Sequence, residues 1–169
     1  MDFYSTPFDA TKIDNVRSFR CGENRWEYAI AEWIKGDRVL KSMIQRGTEV
    51  WLYYDGDLLV GYGSLGKTRR KWLPPDGGYQ NLSLIPSIAV HSDFQGKPDT
   101  KPRYSDLIIG DLIAKARDHG TELLVLDVHE ENKRAIAFYN RYDFNAVSAA
   151  DDHGYITMYH RLPSGQASI

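Results

Sequence analysis

A short run, Gln95-Gly96-Lys97, leaves one apolar stretch shortly before another begins, and it is the first place in this chain where residue types suggest chemistry. Main-chain N–H groups that converge where a strand gives way to a helix, with the positive end of the helix dipole behind them, hold phosphate. Lys97, Lys101 and Arg103 add positive charge, whereas Pro98 and Pro102 each remove one amide donor from the same loop. As a bare pattern the run also fits a solvated surface turn.

A second phosphate signal is Gly61-Tyr62-Gly63-Ser64-Leu65-Gly66-Lys67-Thr68, which matches G-x-x-x-x-G-K-[ST] letter for letter and gives the alternative of a phosphate-loop nucleotide-binding protein. That motif works only where its last residues open a helix. Pro74-Pro75, followed by Asp76-Gly77-Gly78, stops any such helix within about two turns. An antiparallel strand is the better expectation, with Lys67, Arg69, Arg70 and Lys71 as a basic loop. The five histidines, His91, His119, His129, His153 and His160, offer no close pair at ligand spacing and there is one cysteine, so no metal site is expected. A serine-hydrolase elbow, G-x-S-x-G, is absent.

Positioning the Gln95 turn requires a strand before it and a helix after it, and the span 81–144 supplies both. Leu82, Leu84, Ile88 and Val90 recur with period two, and Pro86, lacking an N–H, predicts a bulge or splayed edge there. Ser105 is expected to cap the next helix, whose apolar face is Ile108, Ile109, Leu112, Ile113 and Ala116 and whose C-cap is Gly120. Residues 123–126 form an unbroken apolar run, the mark of a strand covered on both faces. Ala135, Phe138, Tyr139 and Tyr142 then fall at i, i+3, i+4 and i+7, one face of a second helix.

Together, Ile88-Ala89-Val90, Phe94-Gln95-Gly96-Lys97, Tyr104-Ser105 and Asn132-x-x-Ala135-x-x-Phe138-Tyr139, followed by Asp143-Phe144, resemble the GNAT acyltransferase superfamily. The resemblance implies an α/β fold with a mixed, mainly antiparallel central sheet flanked by helices, its central strands splayed. It implies acetyl-CoA or another acyl-CoA as co-substrate and a primary amine as acceptor, in a small molecule, a peptide or an aminoacyl-tRNA. Ile88, Ala89 and Val90 would then hold the pantetheine arm and polarise the thioester carbonyl through main-chain groups. Gln95, Gly96, Lys97, Tyr104 and Ser105 would hold the pyrophosphate, Asn132 would bind the cofactor, and Tyr139 would protonate the departing thiolate. The six residues between Lys97 and Tyr104 depart from the family's Gln-x-x-Gly-x-Gly turn. The alternative is a non-catalytic acyl-CoA-binding module.

Transfer to an amine needs a neutral amine, since an ammonium group has no lone pair. His91, at the end of the cofactor strand, is the first candidate base and His129 the second, with Glu130, Glu131 and Glu49 behind them. Phe19-Arg20-Cys21-Gly22 is similar to the Phe-x-Cys-Gly of GNAT-type toxins that acetylate aminoacyl-tRNA, and it also fits a plain turn into a helix.

Earlier in the chain a first strand is expected within 8–19. A helix follows with Trp26, Ala29, Ile30, Trp33 and Ile34 on one face, closed by Gly36, and a second helix capped by Asp37 runs to Gly47. Strands at 49–54 and 57–65 flank an Asp55-Gly56 hairpin turn. A strand pair around Asp151-Asp152-His153-Gly154 ends the fold, giving one domain over 1–162 and a tail at 163–169. With 169 residues and 42% hydrophobic content, the chain can bury a core of its own. Net charge −2 gives no general drive toward nucleic acid. The lone cysteine and the lack of a membrane-length apolar run or secretory leader point to the cytoplasm, and a homodimer is compatible with the sequence.

Overall fold

In the computed structural model residues 1–68, 81–95 and 102–163 are described. Gly96, Lys97 and Lys101, and the basic residues at 69–71, lie outside them. In chain order the elements are β1 (Phe3–Pro7), α1 (Ile13–Val16), α2 (Arg25–Lys35), α3 (Asp37–Arg46), β2 (Glu49–Asp55), β3 (Leu58–Lys67), β4 (Leu82–Leu84), β5 (Ile88–Val90), α4 (Tyr104–Asp118), β6 (Leu123–His129), α5 (Lys133–Arg141), β7 (Asn145–Ala146) and β8 (Tyr155–Arg161). The described residues fall into two compact units, 1–66 with 87–95 and 102–112, and 67–68 with 81–86 and 113–163.

In the first unit β1 pairs β2, β2 pairs β3 and β3 pairs β5, all antiparallel. The expected strand within 8–19 is instead β1, placed earlier. The 8–19 segment turns helical because the Asp9 carboxylate accepts the Thr11 N–H at 2.9 Å, which starts a 3-10 turn that runs into α1. α2 begins at a capping box: Asn24 accepts from the N–H groups of Trp26 and Glu27, and Glu27 reaches back to Asn24 N. Its buried face is narrower than the periodicity suggests, with Ala31 and Ile34 inside and Ala29 exposed. Asp37 is the first residue of α3 and no side chain caps that helix, whereas Gly47 closes it at φ 62. Asp55 pairs Leu58, so the hairpin turn is Gly56-Asp57, one residue later than expected, with Gly56 taking the φ of 59 that such turns need at their first position. Val16, Phe19, Ile34, Val39, Leu52 and Tyr62 form the core of this unit. Each such side chain contributes about 1.5–3 kcal/mol by leaving water.

The phosphate-loop alternative fails here, because Gly61 to Lys67 are strand residues of β3 rather than a loop opening a helix. Gly63 packs closely on α4: a β-carbon there would lie 2.8 Å from Leu112 Cδ1, so that side chain would have to shift to admit one.

In the second unit the strand order is β4-β6-β8-β7, parallel between β4 and β6 and antiparallel elsewhere. Leu123, Leu124, Val125 and Leu126 are all buried, as an unbroken apolar run demands. Gly120 at φ 72 ends α4, and Thr121 N–H returns to Ala116 O at 3.0 Å. The fold is thus mixed α/β with a mainly antiparallel sheet. Pro86 marks a change of partner: Ile85 N–H still bonds Val125 O at 2.8 Å, whereas from Ile88 onward the chain pairs β3.

Candidate active site

β5 is three residues long, and its hydrogen-bond phase decides what it can hold. His91 N–H donates to Val60 O at 2.8 Å, and Ala89 stands opposite Tyr62. In an antiparallel ladder the hydrogen-bonded pairs alternate, so Val60 with His91 and Tyr62 with Ala89 are the bonded pairs. Ile88 and Val90, opposite Gly63 and Gly61, occupy the intervening positions. Their N–H and C=O groups therefore face away from β3. A strand that turns two N–H groups outward can grip an extended amide-bearing chain and stabilise a developing oxyanion. Behind it the buried residues Ser64 and Ser87 lock β5 to β3: Ser64 Oγ donates to Ser87 O at 2.6 Å, and Ser87 Oγ lies 2.5 Å from the Tyr62 hydroxyl.

Gln95 follows a 3-10 turn over Ser92–Phe94 and is engaged within the protein. Its N–H donates to Ser92 O at 3.4 Å, and its side-chain Nε2 donates to Val90 O at 2.7 Å and to Cys21 O at 2.5 Å. His91 has a side chain 14% exposed, its Nδ1 accepting the Asp93 N–H at 3.2 Å and its ring edge-on to Phe19 at 5.4 Å. With Nδ1 as acceptor, the neutral ring carries its proton on Nε2. His129 repeats the arrangement with Glu131 N–H at 3.3 Å.

Ser105 does not cap α4. The helix starts at Tyr104, because the Arg103 carbonyl already accepts from the N–H groups of Asp106 and Leu107 at 3.0 and 3.1 Å. The N–H groups of Tyr104 and Ser105 are left without an intrahelical acceptor, as at any helix start. Tyr104 itself donates its hydroxyl to Asp55 Oδ2 at 2.6 Å and packs against Phe3 and Phe94. That bond holds the Tyr104 hydroxyl above, and the Asp55 carboxyl below, their ordinary pKa values. No local spacing announces the pair, since 49 residues separate the two.

In the second unit Asn132 is the N-cap of α5, its Oδ1 accepting the Ala135 N–H at 3.3 Å. Tyr139 is half-buried against Phe138 and Phe144, and desolvation pushes its pKa up to about 12. A fully buried side-chain oxygen or nitrogen without a partner does not occur among the described residues. The Tyr139 hydroxyl bonds none of the described residues, and the side chain as a whole stays partly exposed. It is a neutral donor over the whole physiological pH range. Among the described residues no group of three or more His, Cys, Asp or Glu stands together as a metal site, and no helix is long and apolar enough to cross a membrane.

The family model described as Acetyltransferase (GNAT) family matches residues 14–144. No curated protein matches the sequence. Solved structures with the same fold include an N-acetyltransferase, PaiA, from Thermoplasma acidophilum in complex with coenzyme A, at 11% identity and TM-score 0.69 over 96% of this chain and 100% of that one. The Salmonella typhimurium protein yncA, solved with acetyl-CoA, is 17% identical at TM-score 0.65, covering 99% of this chain and 98% of its own. The ribosomal-protein-S18-alanine N-acetyltransferase of Escherichia coli is 15% identical at TM-score 0.62 over 99% and 98%. At these identities the likeness is one of fold.

Proposed function

Since the chain belongs to the acetyltransferase (GNAT) family, we propose that it transfers an acyl group, acetyl first among them, from acyl-CoA directly to a primary amine. The observation that supports this most is the outward main chain of β5 at Ile88 and Val90. The pantetheine arm would lie along that edge, with Ala89 holding β5 to β3 from behind. Pyrophosphate would be held at the start of α4 by the N–H groups of Tyr104 and Ser105, with Gln95, Gly96 and Lys97 as the further residues proposed for it, and Asn132 would give its remaining amide donor to the pantetheine or adenosine side of the cofactor.

The amine nitrogen attacks the thioester carbon, and the carbonyl oxygen takes up negative charge that the Val90 N–H meets. As the carbon–sulfur bond breaks, Tyr139 supplies a proton or a strong hydrogen bond to sulfur. The nitrogen gives up a proton to water or to His91. His91 can act only by giving up the Nδ1 bond to Asp93 N–H, so base work competes there with the turn. Acceptors of the proposed class are small amines, peptide amines or aminoacyl-tRNA, and CoA thioesters make the cytoplasm the matching compartment.

The test is to follow thiol release from acetyl-CoA with mixed amines, peptides and charged tRNA, beside melting shifts with acetyl-CoA, CoA and Mg-ATP. Amine-dependent thiol release with an acetyl-CoA melting shift is expected. Saturable CoA binding with no acylated product from any amine would make the chain a binding module, and no response to CoA thioesters would remove both.

A further inference from the structure

Both hydrogens of the Gln95 Nε2 are spent on carbonyls, 2.7 Å from Val90 O and 2.5 Å from Cys21 O. The peptide unit joining Val90 to His91 is consequently held at both ends, its N–H on Val60 O and its C=O on Gln95. Val90 turns its own N–H and C=O to the same side of the strand. Left unsatisfied, that carbonyl would present its negative end beside the N–H that has to meet an oxyanion. An amide donor drawn onto it offsets the repulsive dipole and fixes the peptide plane before substrate arrives.

The same side chain fastens the segment that leads into α2. Ser92 N–H donates to Arg20 O at 2.7 Å, Gln95 holds the next carbonyl, and the Phe19 ring packs on His91. Cys21 is buried within this latch, its thiol donating to Glu27 O at 2.9 Å.

The geometry points to Gln95 as a positioning residue for acyl transfer: its side-chain amide orients the Val90–His91 peptide at the end of β5 and pins the Cys21 segment to it. The catalytic half of this assignment rests on the proposed acyl transfer, whereas the latch does not.

Two substitutions separate donor chemistry from bulk. Gln95→Met matches the length and has no donor, and Gln95→Arg keeps N–H groups able to reach two carbonyls. With acetyl-CoA and an accepted amine, the Met variant is expected to lose kcat by roughly ten- to hundredfold, the scale of a misplaced reacting geometry, with KM for acetyl-CoA changed less than about twofold. The Arg variant should recover most of kcat.

A readout independent of turnover comes from Cys21, the only cysteine in the chain. Burial pushes its thiol pKa up to about 11, so it reacts slowly with a neutral disulfide reagent. Labelling should become severalfold faster in the Met variant and stay near wild type in the Arg variant. If the wild type acylates no amine, the reaction fails and the labelling rates still report the latch. Wild-type kcat in the Met variant, a loss confined to KM, or unchanged labelling would each overturn the assignment. Should Gln95→Met not fold by circular dichroism, Gln95→Asn, which draws the amide back by one methylene, reads the same quantities with the same outcomes.

Discussion

Gly61 lies so close to Ala89 that a β-carbon on Gly61 would stand 2.4 Å from the Ala89 carbonyl oxygen and 2.6 Å from Ile108 Cδ1. The isoleucine tip can move; the backbone oxygen belongs to the bonded pair that holds β5 on β3 and cannot yield without shifting that strand. Gly61→Ala is therefore expected to cost about 1–3 kcal/mol, the usual range for overpacking, or some degrees of Tm for a chain of this size. Denaturant titration and melting measure it, and an unchanged midpoint would show that β5 can move aside freely. Lys67, exposed at the end of the same strand, should tolerate Ala with neither Tm nor response to Mg-ATP altered.

Tyr139 is set apart by its desolvation. A phenol held up to about 12 stays protonated through neutral and moderately alkaline pH. Tyr139→Phe is expected to reduce kcat by about 10²–10⁴-fold, the usual worth of a positioned acid. The ratio of wild-type to variant rates should be flat from about pH 6 to 10 and fall only as pH approaches 12, where the wild-type phenol ionises. A flat ratio of one across the range would take the hydroxyl out of the reaction.

Where a segment had one dominant physical signature, the sequence was enough to place it. The run at 123–126 could be little else than a doubly covered strand, and Ile108, Ile109, Leu112 and Ala116 are buried on α4 as their spacing required. β1 was missed because Phe3-Tyr4-Ser5-Thr6-Pro7 lacks a clean alternation and owes its conformation to pairing with β2. Ser105 looked like a cap from its type alone; the Arg103 carbonyl, which starts the helix two residues earlier, has no side-chain signature. The glycines at 61 and 63 imitate a phosphate loop because close packing and phosphate approach both call for a missing β-carbon. Contacts such as Gln95 with Cys21, 74 residues apart, leave no local pattern to find.

The Tyr104–Asp55 bond carries a pH signature with two edges. Asp55 has a lowered pKa, chiefly through the Tyr104 hydroxyl and then the Asp2 N–H, so its stabilisation exists above the unfolded value of about 3.9 and is lost as pH falls through the lower folded value. Tyr104 has a raised pKa through the same bond, so its share exists below the unfolded value of about 10 and is lost as pH rises through the higher folded value. The Tm difference between wild type and Tyr104→Phe should be widest between about pH 5 and 9 and narrow at both extremes. A difference that did not vary with pH would mean that ring packing on Phe3 and Phe94, rather than the hydroxyl, fixes the start of α4.

Asn132 allows the cap and the proposed cofactor contact to be pulled apart, because they use different atoms of one amide. Its Oδ1 accepts the Ala135 N–H, so Asn132→Ala should cost about 1 kcal/mol of stability. Asn132→Asp keeps an acceptor in place and adds a negative charge at the helix start, which the dipole favours, so its Tm should return to wild type or exceed it. The aspartate lacks the Nδ2 donor. If that donor holds acyl-CoA, KM for acetyl-CoA will stay severalfold high in both variants while only the alanine variant is less stable. A KM that recovers together with Tm in Asn132→Asp would reduce Asn132 to a helix cap, and the grip on acyl-CoA would then fall to β5 and the first turn of α4.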